Sequence, residues 1–282
     1  MVKLENVTKN YGNFHLGCSL EVPVGCVTGL IGANGAGKST TFKLILGLTK
    51  SDGGKVSVFG KDAEKLGKAE KENMGVVLAE TGFSGYLTIK KVIPIMASMY
   101  TRFNRTWFEN KCQEYQLPMD KFIKDFSTGM RAKLKILIAI SHEAKLLVLD
   151  EPTAGLDAIA REDLLDLLRE YMETEGRSIL ISSHISSDLE GFCDDLYMIQ
   201  NGSIIFHVDT DELLDEYGVL KLTPEQYEKI DRSQIMYQKE EALGYKCLTK
   251  EKSYYLENYP EIVMEKSSID EVITIVEKGE AL

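Results

Sequence analysis

The chain lacks any apolar run long enough to cross a membrane as a helix, which takes roughly 18–20 residues. The longest candidate, residues 134–149, is interrupted by Lys135, His142, Glu143 and Lys145. An excess of positive charge is missing too. Lys and Arg number 33 against 44 Asp and Glu, a net charge of −11. That balance argues against a binder of nucleic-acid backbones, which needs a basic face. Cysteine is sparse and badly spaced for pairing. Cys18, Cys26, Cys112, Cys193 and Cys247 are odd in number and form no C-x-x-C. They read as reduced thiols of a cytosolic protein, not as bridges or metal ligands. His15, His142, His184 and His207 are too dispersed for a metal cluster. The first five residues hold no signal-peptide core. What is present is 282 residues, 44% of them hydrophobic. That suffices for one large domain, or a large and a small one.

One stretch organises the rest: Gly32, Ala33, Asn34, Gly35, Ala36, Gly37, Lys38, Ser39 and Thr40. From Gly32 to Ser39 it fits G-x-x-x-x-G-K-[ST]. The apolar residues before it predict a buried strand over 26–31, and those after it predict a helix over 41–46. Strand, glycine-rich loop and helix are the context in which this pattern cradles phosphate. Loop N–H groups close around phosphate oxygens, and the helix start adds unpaired donors and a positive dipole end. Lys38 is expected on the β- and γ-phosphates and Ser39 on Mg²⁺.

Alternation predicts strands over 2–7 and 14–22, with a turn at 10–13 between them. Tyr11 in that turn suits either a base-stacking role or ordinary packing. Further strands are expected at 55–60, 74–78 and 178–183. Residues 89–125 carry apolar and aromatic residues at helical spacing, a helical insertion continued by a helix over 132–140. Leu146, Leu147, Val148 and Leu149 form a continuous apolar run, as in a central parallel strand buried on both faces. A helix follows over 163–172, and a hairpin is expected around Asn201-Gly202. Composition shifts near residue 209. Beyond it, strand candidates at 219–222, 245–248 and 262–264 and a helix over 269–277 suggest a small α+β appendage. The main part reads as α/β, with its ligand at the carboxyl ends of the strands.

Asp150 and Glu151 end the apolar strand. There Asp150 can hold Mg²⁺, through water, and Glu151 can polarise an attacking water; a solvated turn is the plain alternative for the pair alone. His184 follows another strand, placed for a γ-phosphate contact or a structural role. Ser127 and Gly129 stand at a helix start, a second anion cradle. If both cradles cannot face one nucleotide within one subunit, two subunits must meet around it.

With these motifs in order, the sequence resembles the ATP-binding subunits of ABC transporters, over about residues 1–208. Residues 32–39 resemble the Walker A loop and 146–150 Walker B. Glu151 resembles the catalytic glutamate, residues 154–157 with Asp157 the D-loop, His184 the switch histidine and Tyr11 the adenine-stacking aromatic. Residues 126–130 are similar to the signature Leu-Ser-Gly-Gly-Gln, with Phe126, Thr128 and Met130 departing from it. The Q-loop glutamine is absent; its place holds Ala79, with Glu80 next as a substitute contact to metal. Among subfamilies the chain looks most like ATPases of bacterial ABC-2-type exporters, of the bacitracin-resistance and phenol-soluble-modulin kind.

The resemblance implies a P-loop NTPase core. It comprises a RecA-like sheet, an antiparallel β subdomain and a helical subdomain at about 89–140. Residues 1–208 then form the nucleotide-binding domain and 209–282 a small C-terminal α+β domain. It implies ATP and Mg²⁺, hydrolysis at a head-to-tail homodimer or heterodimer, and a separate transmembrane permease. The chain would sit in the cytoplasm, peripheral at the inner face of the cell membrane, without nucleic acid. Phe83, Tyr86 and Leu87 are either anchors for the permease or core packing. A soluble ABC ATPase acting on nucleic acid or ribosomes is the alternative, disfavoured by a single Walker A, absent heptads and the acidic balance.

Overall fold

Strict alternation builds the first hairpin. In the computed structural model, which describes residues 1–78, 82–183 and 189–282 (the Lys266 side chain apart), β1 (Val2–Tyr11) pairs antiparallel with β2 (Phe14–Val22). Val2, Leu4 and Val7 face the core, with a bulge between Leu4 and Val7 where Asn6 takes a positive φ. The pairing continues to Tyr11↔Phe14, so Asn10 and Tyr11, expected in a turn, belong to the strand. The β3 strand (Val27–Ile31) is buried at every position. It runs into the glycine-rich loop and α1 (Lys38–Ile45). Next come β4 (Gly53–Val58), β5 (Lys61–Asp62), the single turn α2 (Lys68–Lys71) and β6 (Met74–Val77).

The helical insertion holds α3 (Ile89–Met99), α4 (Arg105–Glu114) and α5 (Thr128–Ile140). α5 starts four residues before the apolar pattern suggested, because Ser127 caps it. After it lie β7 (Leu146–Asp150), α6 (Ala158–Met172), β8 (Ser178–Ser183), β9 (Asp195–Gln200) and β10 (Ser203–Asp209). Asp157 caps α6 and likewise moves its start forward of the expected 163. These strands make one sheet in the order β5-β4-β1-β2-β10-β9-β3-β8-β7-β6. The half from β9 to β6 is parallel, and β1 pairs antiparallel with β2 and β4 at the other end. Crossover through helices demands the parallel half, and burial of both its faces explains the unbroken apolar runs.

The β9–β10 hairpin turns at Asn201 (φ 48°) and Gly202 (φ 83°). Two positive φ values in a two-residue loop suit the right-handed twist of a hairpin. The Gly202 N–H donates to Ala36 O at 2.9 Å, and Gly17 N–H to Gly202 O at 2.8 Å. A Cβ on Gly202 would lie 1.9 Å from His15 O, so only glycine fits.

Beyond β10 come α7 (Thr210–Asp215), β11 (Gly218–Leu222), α8 (Pro224–Lys229), β12 (Ile235–Glu241) and β13 (Gly244–Thr249). The chain ends with α9 (Lys252–Asn258), β14 (Val263–Lys266), α10 (Ile269–Lys278) and β15 (Glu280–Ala281). The second sheet is antiparallel, ordered β14-β11-β13-β12-β15. β12, α8 and α9 are additions to the expected elements. The apolar stripe of α10 (Ile269, Val272, Ile275, Val276) belongs to the same core as Met198, Val208 and Leu213. The other face of this sheet closes over Leu220, Leu222, Tyr227, Ile230, Cys247 and Tyr255. Among the described residues no helix is long and apolar enough to cross a membrane.

A candidate nucleotide site

The glycine-rich loop lies against the β9 edge of the parallel half. A Cβ on Gly32 would stand 2.3 Å from Ile199 O, and Gly37 turns at φ 123°, which side chains resist. Gly37 precedes α1 without offering a side-chain cap, so the first-turn N–H groups stay open to an anion. The loop encloses a cavity of about 390 Å³. Its walls are Phe14, the loop from Ala33 through Thr40 (Ala36 excepted), Asp150 and Glu151.

Inside it Lys38, Ser39, Asp150 and Glu151 each have a partner from the same chain. Lys38, 5% exposed, donates to Gly32 O at 2.5 Å and Ala33 O at 3.3 Å. Its Nζ lies 3.2 Å from Glu151 Oε1. Ser39 Oγ donates to Asp150 Oδ2 at 2.8 Å, and Ser182 Oγ to Asp150 Oδ1 at 2.7 Å. Glu151 takes a positive φ of 51°. That bend is uncommon for a residue with a side chain; its N–H donates to Ser182 Oγ at 3.0 Å. Ser182 is the residue that motif reading missed. The signal was the pairing of β7 with β8, which sets Asp150 opposite Ser182.

Ser39 and Asp150 offer hard oxygens to a divalent cation beside the phosphate loop, a donor set that suits Mg²⁺. No group of three or more His, Cys, Asp or Glu able to hold a metal occurs among the described residues. Two protein oxygens match the habit of Mg²⁺ of keeping waters and taking its other ligands from phosphates.

Ser127 and Gly129 do not line this cavity. Ser127 Oγ accepts the Met130 N–H at 3.2 Å, and Asp157 Oδ1 accepts the Ala160 N–H at 2.8 Å. Both expected ligand residues thus serve as helix caps. Gly129 packs on α6, where a Cβ would meet Ala160 Cβ at 3.0 Å. Phe126 is buried, anchoring the segment from below. Thr128, Arg131 and Lys135 line a second cleft of about 280 Å³ that ends on the other side of Glu151. Tyr11 is absent from the walls of the first cavity and sets its hydroxyl 3.1 Å from Thr49 Oγ1; Phe14 is the aromatic there. Phe83 and Leu87 pack on the core, whereas Tyr86 is 70% exposed. Ala79, Glu80 and His184 lie outside the described residues.

The family pattern described as "ABC transporter" matches residues 16–154. The chain is 32% identical over 199 residues to the ABC transporter ATP-binding protein YtrB of Bacillus subtilis (strain 168), covering 71% of this chain and 68% of that one. It is 32% identical over 217 residues to the bacitracin transport ATP-binding protein BcrA of Enterococcus faecalis, covering 76% and 70%. A solved structure of the ATP-binding subunit of an ABC transporter superposes with a TM-score of 0.68 at 27% identity, covering 76% and 91%.

Proposed function

The chain belongs to the ABC transporter family as an ATP-hydrolysing subunit of the exporter kind, and from this we propose how its residues act. The carrying observation is the cluster of Lys38, Glu151, Ser39 and Asp150 at the carboxyl ends of the strands. ATP is the substrate. Its phosphates take the N–H groups of residues 33–40 and draw Lys38 away from the Gly32 and Ala33 carbonyls. Glu151 is then released from Lys38. Its carboxylate accepts a proton from the water whose oxygen bonds to the γ-phosphorus, while the bond to the β-bridging oxygen breaks and ADP leaves. Ser182 holds Asp150 and the Glu151 backbone, fixing the carboxylate's direction. Mg²⁺ bound by Ser39 and Asp150 would neutralise phosphate charge. Glu80 is assigned to the same metal, His184 to the γ-phosphate and Tyr11 to the adenine.

The site is finished by a second ATPase subunit, identical or related. Its Ser127, Gly129 and Asp157 cover the phosphates held by the first. Residues 1–208 act as the nucleotide-binding domain, and residues 209–282 as a packing domain without a ligand role. The assembly drives a separate membrane permease from the inner face of the membrane, with Tyr86 at the contact. Glu151→Gln tests the core of this reading. It should keep ATP binding and lose about 10²–10⁴-fold in turnover. Turnover at the parental rate removes Glu151 from the mechanism.

A further inference from the structure

A cavity of about 300 Å³ lies between α4, the end of α5 and α6. It shares no wall residue with the nucleotide cavity. Hydrogen bonds hold its walls in place. Asn104 N–H donates to Ser141 O at 2.8 Å, and Tyr171 Oη to Ala144 O at 2.9 Å. Asn104 Oδ1 accepts the Trp107 N–H at 3.0 Å, which starts α4 and brings Trp107 into the wall. Trp107 is the chain's one tryptophan and is half-buried. Ile140 and Leu167 continue the wall as buried apolar residues. Water molecules numbering about ten would fill this volume, so it has room for a small molecule.

The cavity carries both signs of charge. Arg177 sets its guanidinium 4.6 Å from the centre of the buried Tyr171 ring. Its one acceptor among the described residues is Tyr171 O, 3.0 Å from Nη1. A stacked guanidinium keeps its charge and the rest of its five N–H donors for a ligand. Glu143 and Glu173 are exposed members of the wall, and neither pairs with a cation among the described residues. Glu143 is aimed by a positive φ of 57° just beyond α5. Glu170, also in the wall, is taken by Lys111 at 2.7 Å.

We propose that this cavity binds a free amino acid with an apolar side chain. Its carboxylate lies on Arg177, its ammonium on Glu143 and Glu173, and its side chain against Trp107, Ile140 and Leu167. The mixed charge rejects simpler ligands. A lone anion meets two carboxylates, and a lone cation meets the guanidinium. A wholly apolar molecule takes water from all three groups and returns no partner. A zwitterion satisfies both signs within one short carbon frame, and the guanidinium fork fixes its carboxylate by two parallel bonds. The bound molecule touches α4 on one side and α6 on the other. It therefore joins the helical insertion to the helix that follows β7, as the Lys111–Glu170 pair already does.

Trp107 is a built-in reporter, since no other tryptophan contributes to emission. L-phenylalanine and L-leucine are titrated in turn into the full chain. At least one should change Trp107 emission saturably and raise the thermal midpoint. A response to neither overturns the proposal. With phenylalanine as reference, 3-phenylpropionate lacks the ammonium and phenethylamine lacks the carboxylate. Each should bind at least about tenfold more weakly than the amino acid. Equal binding of either one overturns the zwitterion assignment. Arg177→Gln, and separately Glu143→Gln with Glu173→Gln, should each weaken amino-acid binding at least about tenfold, while Arg177→Lys, which keeps the charge but not the fork, should weaken it less than Arg177→Gln. Parental affinity in a folded Arg177→Gln chain overturns the proposal. Should Arg177→Gln fail to fold, parental affinity in the double glutamine variant, whose changes lie on exposed side chains, overturns it as well. ATP should leave amino-acid binding unchanged; competitive displacement by ATP would place the response at the phosphate loop and overturn the separate site.

Discussion

The phosphate loop and the Ser127–Gly129 segment are both anion cradles by composition, yet they are built to different degrees of completion. Around the loop, Lys38, Ser39, Asp150 and Glu151 are tied together through β3, β7 and β8. At residues 127–129 the groups are spent on starting α5 and packing on α6. The first cradle is whole within one chain and self-neutralised until phosphate displaces its own contacts. The second is occupied within its own chain by capping and packing. On the proposed reading it acts only opposite another subunit, and a site divided in this way would make turnover depend on assembly.

The contrast is broken most severely at the loop. Lys38→Ala should weaken ATP binding about 10–100-fold, because a charge-assisted contact is lost; titration of a fluorescent ATP analogue reads it, and unchanged affinity would mean the loop alone holds the phosphates. Next is Ser182→Ala, which frees Asp150 Oδ1 and leaves the Glu151 N–H only the Ser182 backbone carbonyl at 3.2 Å. Turnover should fall about tenfold, with ATP affinity kept, as for the loss of one buried hydrogen bond. A fall in affinity equal to that in turnover would show Ser182 shaping the cavity rather than the acid.

Ser127→Ala sharpens the other side. Losing the cap should cost about 1 kcal/mol of stability. ATP-dependent dimerisation, followed by light scattering in the Glu151→Gln background, should weaken while single-chain ATP binding stays. Intact dimerisation would remove Ser127 from the interface.

The smallest effect concerns the far end of the same helix. His142 is buried just after α5, stacked on Tyr100 with ring centres 3.9 Å apart and its Nε2 3.1 Å from Met74 O. Burial lowers its pKa. The unfolded chain therefore takes up a proton that the folded one refuses, and stability falls as pH drops through the ordinary histidine range near 6.5. His142→Gln should flatten the dependence of thermal midpoint on pH between about 7 and 5.5. An unaltered slope would assign the acid sensitivity to other groups.

The parallel strands were legible because burial on both faces keeps charged residues out of their interiors. The glycine-rich loop was legible because its geometry admits few residue types. β12 was not, since Gln238, Lys239, Glu240 and Glu241 give it a polar second half, and its other partner, β15, is far in sequence and two residues long. Apolar periodicity alone starts α5 and α6 too late, because their beginnings are marked by the caps Ser127 and Asp157 and not by the apolar stripe. Ser182 carries no motif. Its role follows from strand register, a property of two segments together. Tyr11 and Phe14 sit on either side of one tight turn, and only the fold shows which ring faces the cavity.

The Asn201-Gly202 turn reaches in two directions. Gly202 N–H rests on Ala36 O of the phosphate loop, while Gln200 Nε2, two residues earlier, donates to Glu277 O in α10 at 3.2 Å. A single backbone amide therefore records whether the loop is seated. Its solvent exchange and its chemical shift offer a built-in probe of loop opening. No label need touch the nucleotide, and the signal is free of any contribution from the γ-phosphate itself. Because the hairpin also holds the last helix, an inserted residue at 201 would put two distant parts of the molecule out of step at once. The turn's length, more than its composition, is what natural variation should leave alone.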